Sequence, residues 1–396
     1  MPSTLTWLDV SDRERKRALD VIDMFRDSDT RDELGLGAIR DGFADALFPG
    51  TSTIQTRAAY FLMVPWTYRR IEEKLSGSSR IAAHARNDEI RLIDALVKDG
   101  DLEGVIGQDA RKNLKRLPSE VYWSGLKRWG IRLFPGSREQ YHRRIESGLV
   151  GGRPRVDLES DGKQRAPSGW HPNLPTPPDE FPLTASMALR PDDATYLAER
   201  ILVTCPDTLL AYLVEQPDIG ARCDFAWNHP ALSHAPTAIQ QLMEQARRFS
   251  ELLRGSALLY NRLIAEERKV DELADSYAKQ LDEWTARIAD IPWDGPAFWE
   301  QVGQTVARVD PHTRTFINEW TAIATSATSG PPIQSDPAAA SVIRRREREV
   351  KRHQVRLGRP EALWGGSAGV AQLDFRWGTA WRHLHDITEG RKAAHA

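Results

Sequence analysis

The sequence predicts a mainly α, multi-helical protein, and two observations carry that prediction. Apolar residues recur at steps of three and four, as in residues 239–264 and 270–288, which is the spacing of one helix face. No segment alternates apolar and polar residues as a half-buried strand would, and strands do not alternate with helices along the chain. We therefore expect two helical blocks joined by a proline-rich connector, with at most a small β-wing.

Capping residues and prolines mark the helices of the first block. Ser11 and Glu14 form a capping box for a first helix, and further helices are predicted at residues 38–47 and 54–75. Pro65 should kink or end the last of these.

Short helices follow in the next stretch of the chain. After a helix that resumes near residue 87, we expect helices at 109–117, at 118–129 and, from the capping box of Ser137 and Gln140, at 137–147. Short helices joined by tight turns are typical of a helix-turn-helix or winged-helix unit, which we place near residues 87–148.

Seven prolines lie between residues 151 and 186. Neither a helix nor a central strand tolerates that density, so we expect a connector, with Trp170 and Phe181 pinning parts of it to a neighbouring surface.

The second block again reads as helices. Helices are predicted from Pro191, from Pro236 to Glu267, at 270–288, at 337–356 and around 373–387. The predicted domains are an N-terminal helical domain at 1–150, the connector at 151–186, a second helical domain at 187–326 and a basic helical tail at 327–396.

Charge is distributed unevenly. The formal net charge is −2, but residues 111–144 hold ten basic residues against two acidic ones, and residues 344–359 hold eight against two. A basic segment in an otherwise acidic chain, with cations at both ends of a short helix, is typical of phosphate-contacting modules. The candidate nucleic-acid-binding residues are Arg111, Lys112, Lys115, Arg116, Lys127, Arg128, Arg132, Arg143 and Arg144.

Other interpretations of residues 111–144 stay open. The segment could equally dock onto protein, or be a solvated face, and Tyr122, Trp123 and Trp129 within it are either core anchors or base-stacking surfaces. The excess of arginine over lysine, 43 against 11, follows more readily from GC-rich coding DNA than from phosphate binding. The basic run at 344–359 is expected to be solvated.

Motifs for catalysis are not recognisable. The glycines at 35, 37 and 42 do not match a phosphate-binding loop. Residues 161–163 and 349–351 mimic the end of a D/E-x-K nuclease signature, but no predicted strand presents them. We therefore predict no cofactor and no catalytic residue, and we favour a protein that is not an enzyme.

The histidines and cysteines do not form a metal site by spacing. His383, His385 and Asp386 are close in sequence, yet positions 383 and 385 of a helix face different directions. Cys205 and Cys223 are too few for a disulfide framework or a zinc site. No metal is predicted. Because no long apolar run and no secretory signal is present, we expect a cytoplasmic protein without membrane contact.

Five distinctive segments are spread over nearly the whole chain. The longest, ELGLGAIRDGFADALFPGTSTIQTRAAYFLMVPW, covers residues 33–66. The others are YWSGLKRWGI at 122–131, GWHPNLP at 169–175, FSELLRGSALLYN at 249–261 and LDFRW at 373–377. Together they resemble an uncharacterised bacterial family known only as a domain of unknown function. The resemblance implies no activity and no catalytic residue, and it suggests a gene neighbourhood of phage defence, with helicases and nuclease-like proteins.

Two hypotheses follow. The first is a non-enzymatic, nucleic-acid-associated component of a bacterial antiphage defence system, with DNA or RNA and other defence-system proteins as partners. The alternative is an adaptor or scaffold that docks an effector enzyme through its acidic helical block or its connector. An unrecognised hydrolase is a third reading, and it would gain support only from a bound metal.

Overall fold

The structure, a computed structural model, describes residues 33–75, 79–148, 168–306 and 308–393. Over these residues the chain forms thirteen α-helices and no strand, which confirms the prediction of a mainly α, multi-helical protein. The helices are α1 Gly37–Leu47, α2 Tyr60–Leu75, α3 Ile81–Asp99, α4 Pro118–Arg128, α5 Arg138–Glu146, α6 Pro191–Thr204, α7 Leu209–Val214, α8 Thr237–Glu267, α9 Asp271–Ile288, α10 Gly295–Thr305, α11 Pro311–Ala327, α12 Pro337–Lys351 and α13 Trp377–Lys392.

The chain divides into two compact units, each built from two separate stretches of sequence. Unit 1 comprises the described residues of Met1–Phe43 and Glu244–Leu373, and unit 2 comprises those of Ala44–Met243 and Asp374–Ala396. The boundaries predicted at residues 150, 186 and 326 divide the chain into consecutive blocks instead, and they stay a prediction.

In unit 2, α2 packs against α3 and α4, α3 packs against α5, and α13 packs along α6 and α7. Large aromatic side chains fill the space between α2 and α4: the Trp129 ring stacks on Phe61 with 3.8 Å between ring centroids. At Gly125 the backbone of α4 approaches the preceding loop so closely that a Cβ atom would lie 2.4 Å from the Gly50 carbonyl oxygen. Glycine is the residue that permits this approach.

The helix predicted at residues 54–75 begins only at Tyr60, and it continues through Pro65. Residues 48–59 form a loop in which backbone polar groups bond to side chains rather than to the carbonyls of a helix. The Tyr122 hydroxyl accepts the backbone N–H groups of Thr56 and Arg57 at 2.8 and 3.1 Å. Pro65 removes one N–H donor from α2, and the dense burial of the surrounding residues offsets that loss.

Of three further helix predictions in this part of the chain, one is wrong and two are confirmed. The helix predicted at 109–117 is wrong, since only a 3₁₀ turn forms at Arg111–Asn113. The Arg86 guanidinium donates to the Lys112 and Leu114 carbonyls there, both at 2.8 Å, so these groups are satisfied without an α-helix. The helices predicted at 118–129 and 137–147 are confirmed as α4 and α5, and α5 has the predicted capping box of Ser137 and Gln140. The helix predicted after Ser11 lies outside the described residues.

Part of the proline-rich segment that we predicted as a connector is described, from residue 168 onwards. Trp170 is buried and donates its indole N–H to Glu72 at 2.9 Å. The ring of Phe181 meets Trp66 edge-on at 5.5 Å. These contacts confirm that Trp170 and Phe181 attach this part of the segment to a neighbouring surface, here other residues of unit 2. Residues 151–167 lie outside the described residues.

In unit 1, two tryptophans attach neighbouring helices to α8. The indole N–H groups of Trp284 on α9 and Trp320 on α11 donate to the Glu251 and Leu252 carbonyls at 2.7 and 2.8 Å. The two rings stack at 6.0 Å. Mid-helix carbonyls that accept a second hydrogen bond fix how the three helices pack, because a buried indole N–H needs an acceptor.

Candidate nucleic-acid interface

Helix α4 presents a narrow exposed face within the predicted basic segment. Glu120, Ser124, Lys127 and Arg128 are exposed, at the four- and three-residue steps of one helix face. The opposite face is buried and carries Val121, Tyr122, Trp123, Gly125 and Leu126. Lys115 and Arg116 are exposed just before the first turn. We call this set, Lys115, Arg116, Glu120, Ser124, Lys127 and Arg128, the α4 ridge.

The beginning of α4 is held in place by a buried carboxylate. Glu89 of α3 is fully buried and accepts the backbone N–H and the hydroxyl of Ser119 at 2.8 and 2.7 Å. Burial raises the pKa of Glu89 to about 7 in spite of these hydrogen bonds, which favour the charged form. Arg138 of α5 also donates to the Ser119 hydroxyl, at 3.1 Å. The first turn of α4 is therefore fixed to both neighbouring helices.

The acidic residue of the ridge is neutralised. Glu120 forms an ion pair with Arg138, and its other carboxylate oxygen accepts the Leu117 N–H at 3.2 Å. Its negative charge is thus matched by the cation beside it, so the ridge carries a net positive charge from its lysines and arginines.

The end of α4 meets the end of α6 through two arginines. Arg128 of α4 donates to the Thr204 carbonyl, the last residue of α6, at 2.7 Å. Arg200 of α6 donates to the Trp129 carbonyl, just beyond α4, at 3.2 Å. Each arginine therefore compensates the partial negative charge at the carboxyl end of the other's helix. Sequence reasoning missed Arg200, because the carbonyl that it bonds belongs to a residue 71 positions earlier in the chain.

The nine candidate residues fall into three groups. Lys112, Lys115, Arg116, Lys127 and Arg143 are exposed, and among the described residues none of them forms an ion pair. Arg111, Arg128 and Arg144 contact other groups of the protein while remaining at the surface. Arg111 pairs with Asp94 at 2.7 Å, Arg128 bonds Thr204, and Arg144 lies 5.5 Å over the Phe134 ring.

The remaining candidate, Arg132, lies inside the protein. It is 4% exposed and donates to the carbonyls of Trp123, Phe134 and Gly136, with its guanidinium 4.6 Å over the Trp123 ring. Burial lowers its pKa to about 10. Its donors bond carbonyl groups at the end of α4 and in the turn between α4 and α5, so Arg132 is not available to contact nucleic acid.

The aromatic residues of the segment are core residues. Tyr122 and Trp129 are fully buried and Trp123 is 9% exposed. The interpretation of these rings as base-stacking surfaces is therefore wrong, since a base can stack only on an exposed ring face.

The second basic segment, residues 344–359, is not a solvated run as expected. Arg344 pairs with Glu267, Arg345 with Glu319, and both Lys351 and Arg356 with Glu33. Arg346 is buried and donates to the Leu34 and Gly35 carbonyls. Most of the cations of this segment thus have partners within unit 1.

The sequence candidates for catalysis do not converge. Lys351 contacts Glu33 and Tyr260, whereas Glu349 faces Arg345 and Arg346. Residues 161–163 lie outside the described chain. Within the described residues, no group of three or more His, Cys, Asp or Glu side chains could hold a metal ion.

His383, His385 and Asp386 also have separate environments. His383 is fully buried and contacts Gln55, and burial lowers its pKa to about 3. Asp386 accepts two hydrogen bonds from Arg57, at 3.0 and 3.1 Å, and one from the Ala58 N–H. His385 stacks on Trp381 at 4.8 Å. The contacts of His383 and Asp386 hold α13 to the loop at residues 48–59 and indicate a structural role for both residues.

Unit 2 also contains a cavity of about 490 Å³ that no sequence pattern indicated. It is lined by apolar residues at the start of α2, by Ala95, Lys98 and Asp99 of α3, and by residues of the segment 178–190. The salt bridge between Arg190 and Asp193 is also part of the lining. The lining residues are far apart in the sequence, so no local motif could have predicted the cavity.

None of the helices in the described part of the chain is long and apolar enough to cross a membrane. No curated protein and no solved structure shows significant similarity to the chain. A family model matches residues 2–391, nearly the whole length. The chain therefore belongs to a family of unknown function, DUF6361, as its distinctive segments suggested.

Proposed function

We propose that this protein associates with nucleic acid by contacting phosphate groups through the α4 ridge. The observation that supports the proposal is the set of exposed cations at both ends of α4, of which Lys115, Arg116 and Lys127 form no ion pair among the described residues. The contrast with residues 344–359 strengthens it, because cations there are matched by carboxylates of the same unit. A role in antiphage defence rests on the family resemblance alone, and the proposal assigns no chemical step to this chain.

The expected binding is moderate and sensitive to salt. If the four cations of the ridge each neutralise one phosphate, the slope of log K against log salt is about −3.6. Raising the salt concentration fourfold then weakens binding by roughly 150-fold. Arg128 already bonds Thr204, so its contribution is the smallest of the four.

The test is a titration of the full chain with fluorescent duplex and single-stranded DNA over a range of salt concentrations. We expect binding by the native protein, and loss of binding in a variant carrying Lys115→Glu, Arg116→Glu and Lys127→Glu. Arg128 is left unchanged because it caps α6. Arg287→Glu with Arg348→Glu is the matched control, since both residues are exposed cations of unit 1.

Two results would overturn the proposal: no salt-sensitive binding by the native protein, or full binding by the triple variant. Circular dichroism of each variant shows that the helices are retained. If the protein instead forms a complex with a co-expressed enzyme from a neighbouring gene, and nuclease treatment leaves that complex intact, the adaptor hypothesis gains support.

A further inference from the structure

We infer that the α4 ridge binds double-stranded DNA by bridging phosphates of the two strands across a groove. This inference rests on the proposed function and adds the class of nucleic acid to it. The layout of charge, the lack of a stacking surface and the rigidity of the ridge support it in turn.

Charge on the ridge is concentrated at its two ends. Lys115 and Arg116 precede α4, and Lys127 and Arg128 end it. The 11 residues of the helix span about 16 Å. Between the two cation pairs lie Glu120, neutralised by Arg138, and the uncharged Ser124.

This spacing matches a groove with a phosphate backbone on each side. The major groove of B-form DNA is about 12 Å wide, so cations carried at the two ends of a helix about 16 Å long can reach the backbones that border it. The neutral middle of the ridge then lies over the groove. A single strand would be followed more closely by a continuous track of cations.

Surfaces that bind single strands commonly add aromatic rings on which bases stack. The ridge offers none: Tyr122, Trp123 and Trp129 are buried beneath it. Phe134, which is half-buried in the described residues after α4, is covered by the Arg144 guanidinium. Only the charged and hydroxyl groups of the ridge are left to contact nucleic acid.

The two ends of the ridge are held at a constant separation. Glu89 and Arg138 fix the first turn of α4 through Ser119. Arg128 and Arg200 fix its last turn to α6. A rigid span suits the regular width of a duplex groove, and it offers no advantage on a flexible strand that adapts to any spacing.

The experiment compares a duplex with single strands of the same total number of phosphates, by fluorescence anisotropy with the full chain. We expect the duplex to bind about tenfold or more tightly, because it holds its two backbones at a fixed spacing, whereas a flexible single strand must lose conformational freedom to reach both cation pairs. Replacing the phosphates of one strand by neutral methylphosphonates should lower duplex affinity about as much as removing one cation pair does.

Variants measure the contribution of each end. Lys115→Gln with Arg116→Gln should reduce the magnitude of the salt slope by about 1.8, and Lys127→Gln should reduce it by about 0.9. The control variant Arg287→Gln with Arg348→Gln should leave the slope unchanged.

The outcomes separate the two claims. If single strands bind as tightly as the duplex, or methylphosphonate substitution has no effect, the bridging inference is overturned while the proposed function stands. If neither nucleic acid binds in a salt-sensitive way, the proposed function itself fails.

Discussion

Replacing Gly125 by alanine should destabilise unit 2, although alanine is the better helix former. In the middle of a helix, alanine is favoured over glycine by about 1 kcal/mol. At this position, however, the added Cβ would lie 2.4 Å from the Gly50 carbonyl oxygen and 3.0 Å from a ring carbon of Phe61. The first contact is with backbone, which cannot rotate away as a flexible side chain can.

The loop that carries Gly50 has little freedom to retreat. The Gln55 side-chain amide donates to the Gly50 carbonyl at 3.1 Å, and the Trp129 indole donates to the neighbouring Pro49 carbonyl at 2.9 Å. Overpacking of this kind costs about 1–3 kcal/mol, and here it must also break or stretch these bonds. We expect a net loss of about 2 kcal/mol, which lowers the melting temperature by roughly 4–8 °C for a unit of this size.

The assay is thermal unfolding followed by circular dichroism, with Ser124→Ala as the matched control. Ser124 is the adjacent residue of the same helix and is exposed, so its replacement tests helix propensity alone and should change stability by less than about 0.5 kcal/mol. If Gly125→Ala melts at the same temperature as Ser124→Ala, or above it, the close approach of α4 to the loop is not as described.

Three further predictions concern buried polar groups of unit 2. Burial raises the pKa of Glu72 from 4.5 to about 8, so the unfolded chain releases this proton at lower pH than the folded protein does. The contribution of the protonated Glu72 to stability is therefore fully present below pH 4.5 and is lost as the pH rises towards 8. Thermal melts of Glu72→Gln over this pH range should show a smaller decrease in melting temperature than those of the native protein. Arg132→Met removes one hydrogen-bond donor from each of three carbonyls, of which Gly136 keeps the Trp123 indole N–H, and should cost about 2–3 kcal/mol in denaturant unfolding. An unchanged salt slope for DNA binding would agree with the buried position of Arg132, and a reduced slope would contradict it. Tyr122→Phe removes the hydroxyl that bonds the backbone of Thr56 and Arg57, and we expect the free energy of unfolding to fall by about 1–3 kcal/mol. An unchanged melting temperature would show that this hydroxyl does not hold the loop.

Local signals predicted the helices that begin with their own caps. Pro118 stands at the first position of α4, and Ser137 and Gln140 form the capping box of α5. Such signals lie within a few residues of the helix they start, so a single sequence contains them. The loop at residues 48–59 could not be predicted in the same way, because the hydroxyl that satisfies its backbone belongs to Tyr122, more than sixty residues away.

The candidate site shows the same limit. Lys115 and Arg132 are both basic residues of one segment, and only the surroundings distinguish the exposed side chain from the buried one. The second basic segment was misjudged because its counter-charges, Glu33 and Glu267 among them, lie far away in the chain. Composition locates charge along a sequence, whereas the partners that neutralise it are determined by the fold.

The reciprocal hydrogen bonds of Arg128 and Arg200 between α4 and α6 limit which residues of the α4 ridge can be substituted. Arg128 bonds the carboxyl end of α6 and Arg200 bonds that of α4, so a substitution at either position affects the end of the other helix. A charge-reversing substitution of Arg128 would reduce nucleic-acid binding even if its only effect were to remove the hydrogen bond that holds the end of α6. The side chain of Lys127 forms no such hydrogen bond among the described residues. Substitution of Lys127 therefore measures the electrostatic contribution of this end of the helix without disturbing α6.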